Sequence, residues 1–360
     1  MNEKKAIAAM SGGVDSSVTA YLLIQQGYSV KGVTLRLTDP EDKTAEAMCA
    51  SLHDAQDAKA VCDKLGIDHM LIDFTSAFRE NVIERFCNAY LNGFTPNPCV
   101  DCNKHIKFDK MLECIASEKC DIFATGHYAQ IDFDSGSGRY LLRKAKDLSK
   151  DQSYFLYALS QNQLARVQFP LGELTKSEVR EIAAEQGFTN ASKKDSQDIC
   201  FIPDGDFSGF IKRYKALKPH KGNFTDTSGN ILGEHEGAFM FTIGQRKGLG
   251  IAIGKPAYVL DTDIKNNTVV LGDNDQLFKR RLEANEINMI AVDKITSPMH
   301  VTAKIRYSHK TAPAVVEQTG PDSFIVEFDE PQRAITPGQS VVLYDGDVVI
   351  GGGKVKTALD

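Results

Sequence analysis

The strand-like run Ala6-Ile7-Ala8-Ala9-Met10 leads directly into Ser11-Gly12-Gly13-Val14-Asp15-Ser16-Ser17, and this junction constrains the fold more than any other stretch. Two adjacent glycines let the backbone turn sharply and aim its N–H groups at an anion. From Ser16 onward, Val18, Ala20, Tyr21, Leu22 and Leu23 recur at helical spacing, and Gly27 is a helix stop. A helix N-terminus behind a glycine turn adds partial positive charge to the same place. The segment reads as a phosphate cradle. It lacks Gly-Lys-Ser/Thr, so it is not the Walker loop that clamps β- and γ-phosphates. A serine-rich turn capping an ordinary helix is the plainer reading, and the full heptapeptide behind a strand outweighs it.

At 360 residues the chain has room for two or three domains with a sizeable core. No hydrophobic run approaches a membrane span, and Met1-Asn2-Glu3-Lys4-Lys5 does not precede a signal-peptide core. A cytoplasmic protein without membrane contact is expected, so its eight cysteines count as thiols, ligands or redox groups rather than a disulfide framework. A net charge of −6 argues against a broadly basic nucleic-acid binder. Local patches still matter, and the cations cluster at Arg143-Lys144-Ala145-Lys146, Lys193-Lys194, Lys212-Arg213-Tyr214-Lys215, Arg246-Lys247 and Lys279-Arg280-Arg281. Singly, each reads as a solvated face. With no Trp, any base stacking falls to Tyr, Phe, His or Arg.

The first part alternates strand and helix. Strands are predicted at 28–37, 69–73 and 121–125, and helices at 44–65, 78–91 and 104–117. A hairpin is predicted from Ala129–Phe133 and Arg139–Arg143, then helices at 153–159 and 175–186, the last with a capping box at Thr175-x-x-Glu178. This pattern argues an α/β fold with a doubly wound parallel sheet and its ligand at the carboxyl ends of the strands. From about Asp204, Gly, Pro, Asn and Asp punctuate short alternating runs, which argues an all-β region. The expected division is a nucleotide-binding domain over 1–204, a small β-rich domain over 205–280 and a C-terminal β-barrel over 281–360.

Two cysteine segments follow. In Pro96-Asn97-Pro98-Cys99-Val100-Asp101-Cys102-Asn103-Lys104 the prolines make the run rigid and non-helical, with a helix from about Asn103 or Lys104. A thiol there, near Lys104 and His105, would have its pKa lowered from about 8.5 toward neutrality. In Lys193-Lys194-Asp195-Ser196-Gln197-Asp198-Ile199-Cys200-Phe201-Ile202-Pro203 the two lysines would likewise favour thiolate. Cys49, Cys62, Cys87, Cys114 and Cys120 read as small core residues. A structural zinc on Cys99, Cys102, Cys114 and Cys120 is disfavoured because Cys114 falls inside a regular helix. His53, His69 and His235 have no partners at metal-ligand spacing, whereas His127 follows a strand end where ligands bind.

The Ser-Gly-Gly-x-Asp-Ser loop resembles that of the ATP pyrophosphatase superfamily. Over nearly its whole length the chain resembles the bacterial tRNA-specific 2-thiouridylase family. The resemblance rests on both cysteine segments, Gly126-His127-Tyr128, Lys150-Asp151-Gln152-Ser153-Tyr154-Phe155-Leu156, Thr242-Ile243-Gly244-Gln245-Arg246-Lys247-Gly248-Leu249-Gly250 and Thr336-Pro337-Gly338-Gln339-Ser340. It implies a tRNA-uridine 2-sulfurtransferase. ATP, with Mg²⁺, would adenylate the wobble-uridine 2-oxygen. Cys200 would carry sulfur as a persulfide, and Cys102 would release it, leaving a Cys102–Cys200 disulfide. The resemblance assigns ATP to Ala9, Met10, Ser11, Gly12, Gly13, Val14, Asp15 and Ser16, with Leu35 near the adenine and Gly126 at the nucleotide. Asn97, Pro98 and Cys99 would face the target base. Lys150, Asp151, Gln152, Arg306 and Tyr307 would touch tRNA, and His127 and Gln339 would line the reaction site. The other implied partner is a sulfur donor protein, and a monomer is expected.

Two residues depart from the family pattern: Ala9 stands where a glycine is common, and Cys99 where an aspartate is often found. Cys99, Cys102 and Cys200 would then be three thiolates able to bind an iron–sulfur cluster with one site open. The persulfide is the preferred reading. A competing Cys99–Cys102 disulfide, or a bystander Cys99, stays open. Other adenylating ligases of the superfamily, and a non-catalytic tRNA-binding module, are the rival functions.

Overall fold

The computed structural model describes residues 4–38, 52–191, 193, 199–218 and 220–360. The predicted helix over 44–65 therefore falls partly outside the described residues, as do Cys49 and the 194–198 loop. Strands β1 (Lys5–Ala9), β2 (Ser29–Arg36), β3 (His69–Asp73), β4 (Ile122–Ala124) and β7 (Val167–Gln168) form a parallel sheet ordered β3-β2-β1-β4-β7. Ala6, Ile7 and Ala8 are wholly buried because helices cover both faces, so β1 reads as a continuous apolar run rather than an alternation. One face packs on Val18, Ala58, Val61 and Val179, the other on Phe108, Met111, Ile115 and Leu156. The chain leaves β1 toward β2 and β3 and returns to β4 on the other side. Beyond the carboxyl ends of β1 and β4 lies the switch point where such sheets bind ligands.

The hairpin of β5 (Gln130–Asp134) and β6 (Arg139–Arg143) forms as predicted. It joins the C-terminal sheet instead of the parallel one, through Val348 opposite Arg143. The Arg139 guanidinium fixes this junction by donating to the carbonyls of Ile290 (2.7 Å) and Met289 (3.1 Å). Sequence order alone does not show such a crossing.

Strands β8 (Gly222–Thr225), β9 (Ile231–His235), β10 (Tyr258–Asp263) and β11 (Thr268–Gly272) form a small sheet ordered β10-β11-β8-β9 around Phe224, Val259 and Val269. The region after Asp204 is not purely β. Helix Phe207–Tyr214 precedes the sheet, capped by Asp206, whose carboxylate accepts from Gly209 N–H at 2.8 Å, with Phe210 and Ile211 buried. Strands β12 (Phe278–Met289), β13 (Met299–Lys304), β14 (Ala312–Gly320), β15 (Ser323–Arg333), β16 (Ser340–Asp345) and β17 (Val348–Leu359) close into an antiparallel barrel through β12–β17 pairing. Closure leaves these six strands without a free edge.

Candidate active site

The glycine loop is braced from within. Gly12 has φ +72°, and a Cβ there would lie 2.3 Å from the Asp54 carbonyl oxygen, so only glycine fits. Asn190, almost fully buried, donates to Gly12 O (3.0 Å) and Ser17 Oγ (2.9 Å). Ser16 Oγ accepts from Ser11 N–H at 3.2 Å and donates to Gly13 O at 2.9 Å, and Ser17 Oγ donates to Gly13 O at 3.0 Å. The loop carbonyls are thus taken inward, while the first-turn N–H groups of helix Val14–Gln25 have no intrahelical acceptor. That helix begins two residues earlier than its apolar spacing suggests. Ala9 ends β1, Met10 is buried beneath the loop, and Leu35 is half-buried on β2.

Asp15 is already engaged. Lys176 Nζ donates to both its oxygens, at 2.7 and 2.9 Å, and the Tyr128 hydroxyl donates to Oδ1 at 2.8 Å. Lys176 is the first residue of helix Lys176–Glu185, held there by the predicted Thr175/Glu178 capping box. Sequence reasoning located this helix start but missed that its lysine reaches the loop. Gly126 lets the end of β4 approach: a Cβ would sit 2.9 Å from the Asp15 carbonyl carbon and 3.0 Å from Ser16 N. Beside it, His127 Nδ1 lies 2.7 Å from Thr125 Oγ1, with Phe108 and Phe169 at ring distances of 5.8 and 5.9 Å. Burial, aided by Lys107, depresses the His127 pKa well below the ordinary value, so the ring is neutral.

The cysteine segment departs from expectation. Pro98 is the first residue of a helix, and helical structure continues through Cys102 and on to Glu118. Proline is at home in the first turn, where its missing N–H has no partner to lose. Cys102 therefore lies inside the helix instead of ahead of it. Burial pushes its thiol up to about 11, opposite to the lowering predicted, and Lys107 rather than Lys104 or His105 is the cation that pulls it down. Cys99 is reached by solvent yet surrounded by dense protein, and burial raises its thiol pKa as well. Gln339 does not face open solvent: its Nε2 donates to the carbonyls of Thr95 (2.9 Å) and Pro96 (3.4 Å), fixing the run before Asn97 and Pro98.

Cys200 and Cys102 belong to one apolar cluster with Phe201, Ile202, Phe86 and Leu37. Leu37 lies just past the carboxyl end of β2, so both cysteines sit at the ligand-binding end of the sheet. Cys102 is a free thiol and Cys200 is disulfide-bonded, so the Cys102–Cys200 bond is not formed in this structure. Lys193 does not serve Cys200. Its ammonium is bound by Asp54 (2.6 Å), Asp57 (2.8 Å) and Gly12 O (3.3 Å).

Several expected RNA contacts are internal. Asp151 is buried, accepting from Ala145 N–H (3.0 Å), Ser153 N–H (3.2 Å) and Ser153 Oγ (2.8 Å). Gln152 exchanges hydrogen bonds with the Tyr128 backbone, at 2.8 and 3.0 Å. Arg306 donates to Ile243 O and Ala334 O, both at 3.1 Å, and to Thr336 Oγ1, joining the middle domain to the barrel. Lys150 is half-buried. Tyr307 is exposed, its ring tilted against Phe155 at 4.4 Å.

Among the described residues, His53, Asp54 and Asp57 bring three ligand atoms within 4.8 Å of one another, so His53 does have partners, contrary to the spacing argument. The Lys193 ammonium already pairs with both carboxylates. Cys99, Cys102, Cys114 and Cys120 form no such group. Cys99, Cys102 and Cys200 are not three free thiols in this structure, because Cys200 is in a disulfide. No described helix is long and apolar enough to cross a membrane.

Three family models match consecutive parts of the chain: a tRNA methyl transferase HUP domain at residues 4–204, a tRNA methyl transferase PRC-barrel domain at 208–273 and an aminomethyltransferase beta-barrel domain at 279–355. The tRNA-specific 2-thiouridylase MnmA of Clostridioides difficile is 50% identical over 357 residues, covering 99% of each chain. That of Acetivibrio thermocellus is 50% identical over 361 residues, covering 99% of this chain and 100% of its own. Among solved structures, a 4-thiouridine synthetase–RNA complex with bound ATP gives a TM-score of 0.39 at 20% identity, covering 56% of this chain and 45% of that one, too loose a likeness to carry an argument. Full-length identity at this level, on an intact anion loop with two cysteines at its end of the sheet, shows that the chain belongs to the tRNA-specific 2-thiouridylase family.

Proposed function

We propose that this protein forms 2-thiouridine in tRNA at the expense of ATP, with Cys200 and Cys102 as the sulfur-handling pair. The observation that carries the reading is their common apolar cluster at the sheet end that holds the glycine loop. ATP enters with its phosphates on the loop N–H groups, and Lys176 lies beside them on Asp15. Asp15 is held by Lys176 and Tyr128, and Mg²⁺ would come in with the nucleotide. Adenylation of the uridine 2-oxygen releases pyrophosphate and turns that oxygen into part of a leaving group.

The Cys200 disulfide is first reduced and the thiol charged by a persulfide-bearing donor protein. The terminal sulfur of the Cys200 persulfide attacks uridine C2, and the 2-oxygen departs with AMP. Cys102 then gives up its thiol proton to solvent and attacks Cys200 Sγ as the thiolate, leaving the terminal sulfur and its electron pair on the base and forming a Cys102–Cys200 disulfide. An external dithiol resets the pair. The apolar surroundings favour neutral Cys102 until substrate arrives, which protects the persulfide from premature resolution. The target base must leave its stack to reach this pocket. A cytoplasmic monomer suits a chain that meets tRNA and a donor protein in turn.

The test is anaerobic incubation of unmodified tRNA transcript with ATP, Mg²⁺ and a persulfide donor, scored by nucleoside mass spectrometry alongside iron content. Iron-free wild-type protein is expected to make 2-thiouridine, Cys99→Ser to retain activity and Cys200→Ser to lose it. Product confined to iron-loaded protein and lost in Cys99→Ser would overturn the persulfide route. A small acid, rather than tRNA, stimulating pyrophosphate release would redirect the assignment to an adenylating ligase.

A further inference from the structure

Four of the five basic clusters in this chain spend cations on internal partners. Arg143 pairs with Asp132 (2.5 Å), Lys144 with Asp347 (3.9 Å) and Lys146 with Glu178 (3.2 Å). Lys193 pairs with Asp54 and Asp57, Lys212 with Glu236, Lys215 with Glu84, Lys279 with Asp360 and Arg281 with Glu327. Arg246 and Lys247 are exposed, and neither has an ion-pair partner among the described residues. In a chain of net charge −6, these two adjacent cations remain available to an outside anion.

The backbone next to them is shaped for the same purpose. Arg246 and residues 248–257 line a concavity of about 530 Å³. Gly248, Gly250 and Gly254 have φ of +75°, +73° and +72°, values at which other residues are strained. Among the described residues, no main-chain N–H from Arg246 to Ala257 has a backbone acceptor. Concave runs of unpartnered N–H groups bind anions.

The base of this loop is rigid and tied to the reaction site. Gln245 Oε1 accepts from Thr242 N–H at 3.1 Å while its Nε2 donates to Lys247 O at 3.0 Å. Thr242 Oγ1 lies 3.4 Å from Thr95 Oγ1, on the run leading to Cys99. Arg306 clamps Ile243 O from the barrel side.

From these observations we infer that the Arg246–Lys247 loop is a phosphate cradle that grips the RNA backbone and sets its register on the cysteine pocket. Arg306 is the buried strut behind it. The inference rests on the tRNA reading above. It is tested with Arg246→Gln/Lys247→Gln in the full-length protein, by measuring affinity for unmodified tRNA transcript across a salt titration. Both side chains are exposed, so the melting temperature should match wild type.

Two lost phosphate contacts lower the log–log salt slope by about 1.5 and raise the KM for tRNA about tenfold, with kcat at saturating tRNA unchanged. A wild-type slope and affinity would overturn the inference. So would a variant that binds tRNA normally but takes sulfur slowly from a persulfide donor protein, which would make the loop a docking site for an acidic protein. Wild-type protein that makes no 2-thiouridine would sink the tRNA reading itself.

Discussion

Lys176 donates to both carboxylate oxygens of Asp15, at 2.7 and 2.9 Å, so a loop built to attract phosphate carries its anion and its cation as one locked pair. The lysine is almost buried and the aspartate about one-third exposed, with side-chain exposures of 11% and 31%. Lys176→Met leaves that carboxylate facing the triphosphate. Pyrophosphate release should fall at least about tenfold, and stability by about 1–2 kcal/mol, discounted for the exposure of Asp15. Lys176→Arg should recover part of both. Pyrophosphate release and thermal melting check this, and a fully active Lys176→Met would remove the lysine from the nucleotide site.

Gly126 gives a second, steric prediction. A methyl group there must displace the backbone of Asp15 or Ser16, because the Cβ would lie 2.9–3.0 Å from both. Gly126→Ala should weaken ATP binding about tenfold or more, a loss of about 1.4 kcal/mol. The affinity of the tRNA-free protein for ATP should be read by calorimetry. Unchanged affinity would mean that the two segments do not support the nucleotide together.

The Cys102 thiol, pushed up to about 11, predicts a characteristic reactivity profile. Only thiolate alkylates, so its labelling rate in the substrate-free enzyme should rise about tenfold per pH unit from neutrality, with no plateau until near that value. Lys107→Met should delay the rise further, since Lys107 is the cation opposing desolvation. Iodoacetamide labelling read by mass spectrometry at the Cys102 peptide checks this. A plateau near neutrality would show a thiolate already formed in the resting enzyme.

His127 titrates in the opposite sense. Its folded-state pKa is depressed by burial, so the unfolded chain takes up the proton first. Its stabilising contribution is present above the ordinary histidine pKa and is lost as pH falls below it, at up to about 1.4 kcal/mol per pH unit. Melting temperatures compared with those of His127→Gln should therefore diverge below about pH 6.5, the wild type falling faster. Parallel curves would mean that the ring charges freely in the fold.

The parts of this architecture governed by local rules were legible in the sequence. Strand β3 has the bounds its apolar run suggests, the β5/β6 hairpin forms around Asp134-Ser135-Gly136-Ser137-Gly138, and Thr175 and Glu178 make the capping box their spacing predicts. What the sequence hid is long-range. Pro98 looks like a break but starts a helix, because a proline's missing N–H costs nothing at the first turn. That one misplacement reverses the predicted ionisation of Cys102, since burial replaces a favourable helix end. Helix Phe207–Tyr214 hid in a turn-rich stretch, its signal being only Asp206 ahead of Phe210 and Ile211. Motif resemblance could not distinguish touching RNA from building the surface that touches it. Asp151, Gln152 and Arg306 spend their hydrogen bonds inside the protein, whereas Lys176 reaches Asp15 across 161 residues and carried no motif signal.

The central claim is that sulfur passes from Cys200 and leaves a bond between Cys200 and Cys102. The most direct test is one anaerobic turnover of pre-reduced, persulfide-loaded, iron-free protein with ATP and unmodified tRNA, quenched with alkylating agent and peptide-mapped. One equivalent of 2-thiouridine should appear together with a Cys102–Cys200 disulfide, and Cys102→Ser should trap the base on Cys200 through a disulfane. Thiouridine formed while both cysteines remain alkylatable thiols would contradict the account.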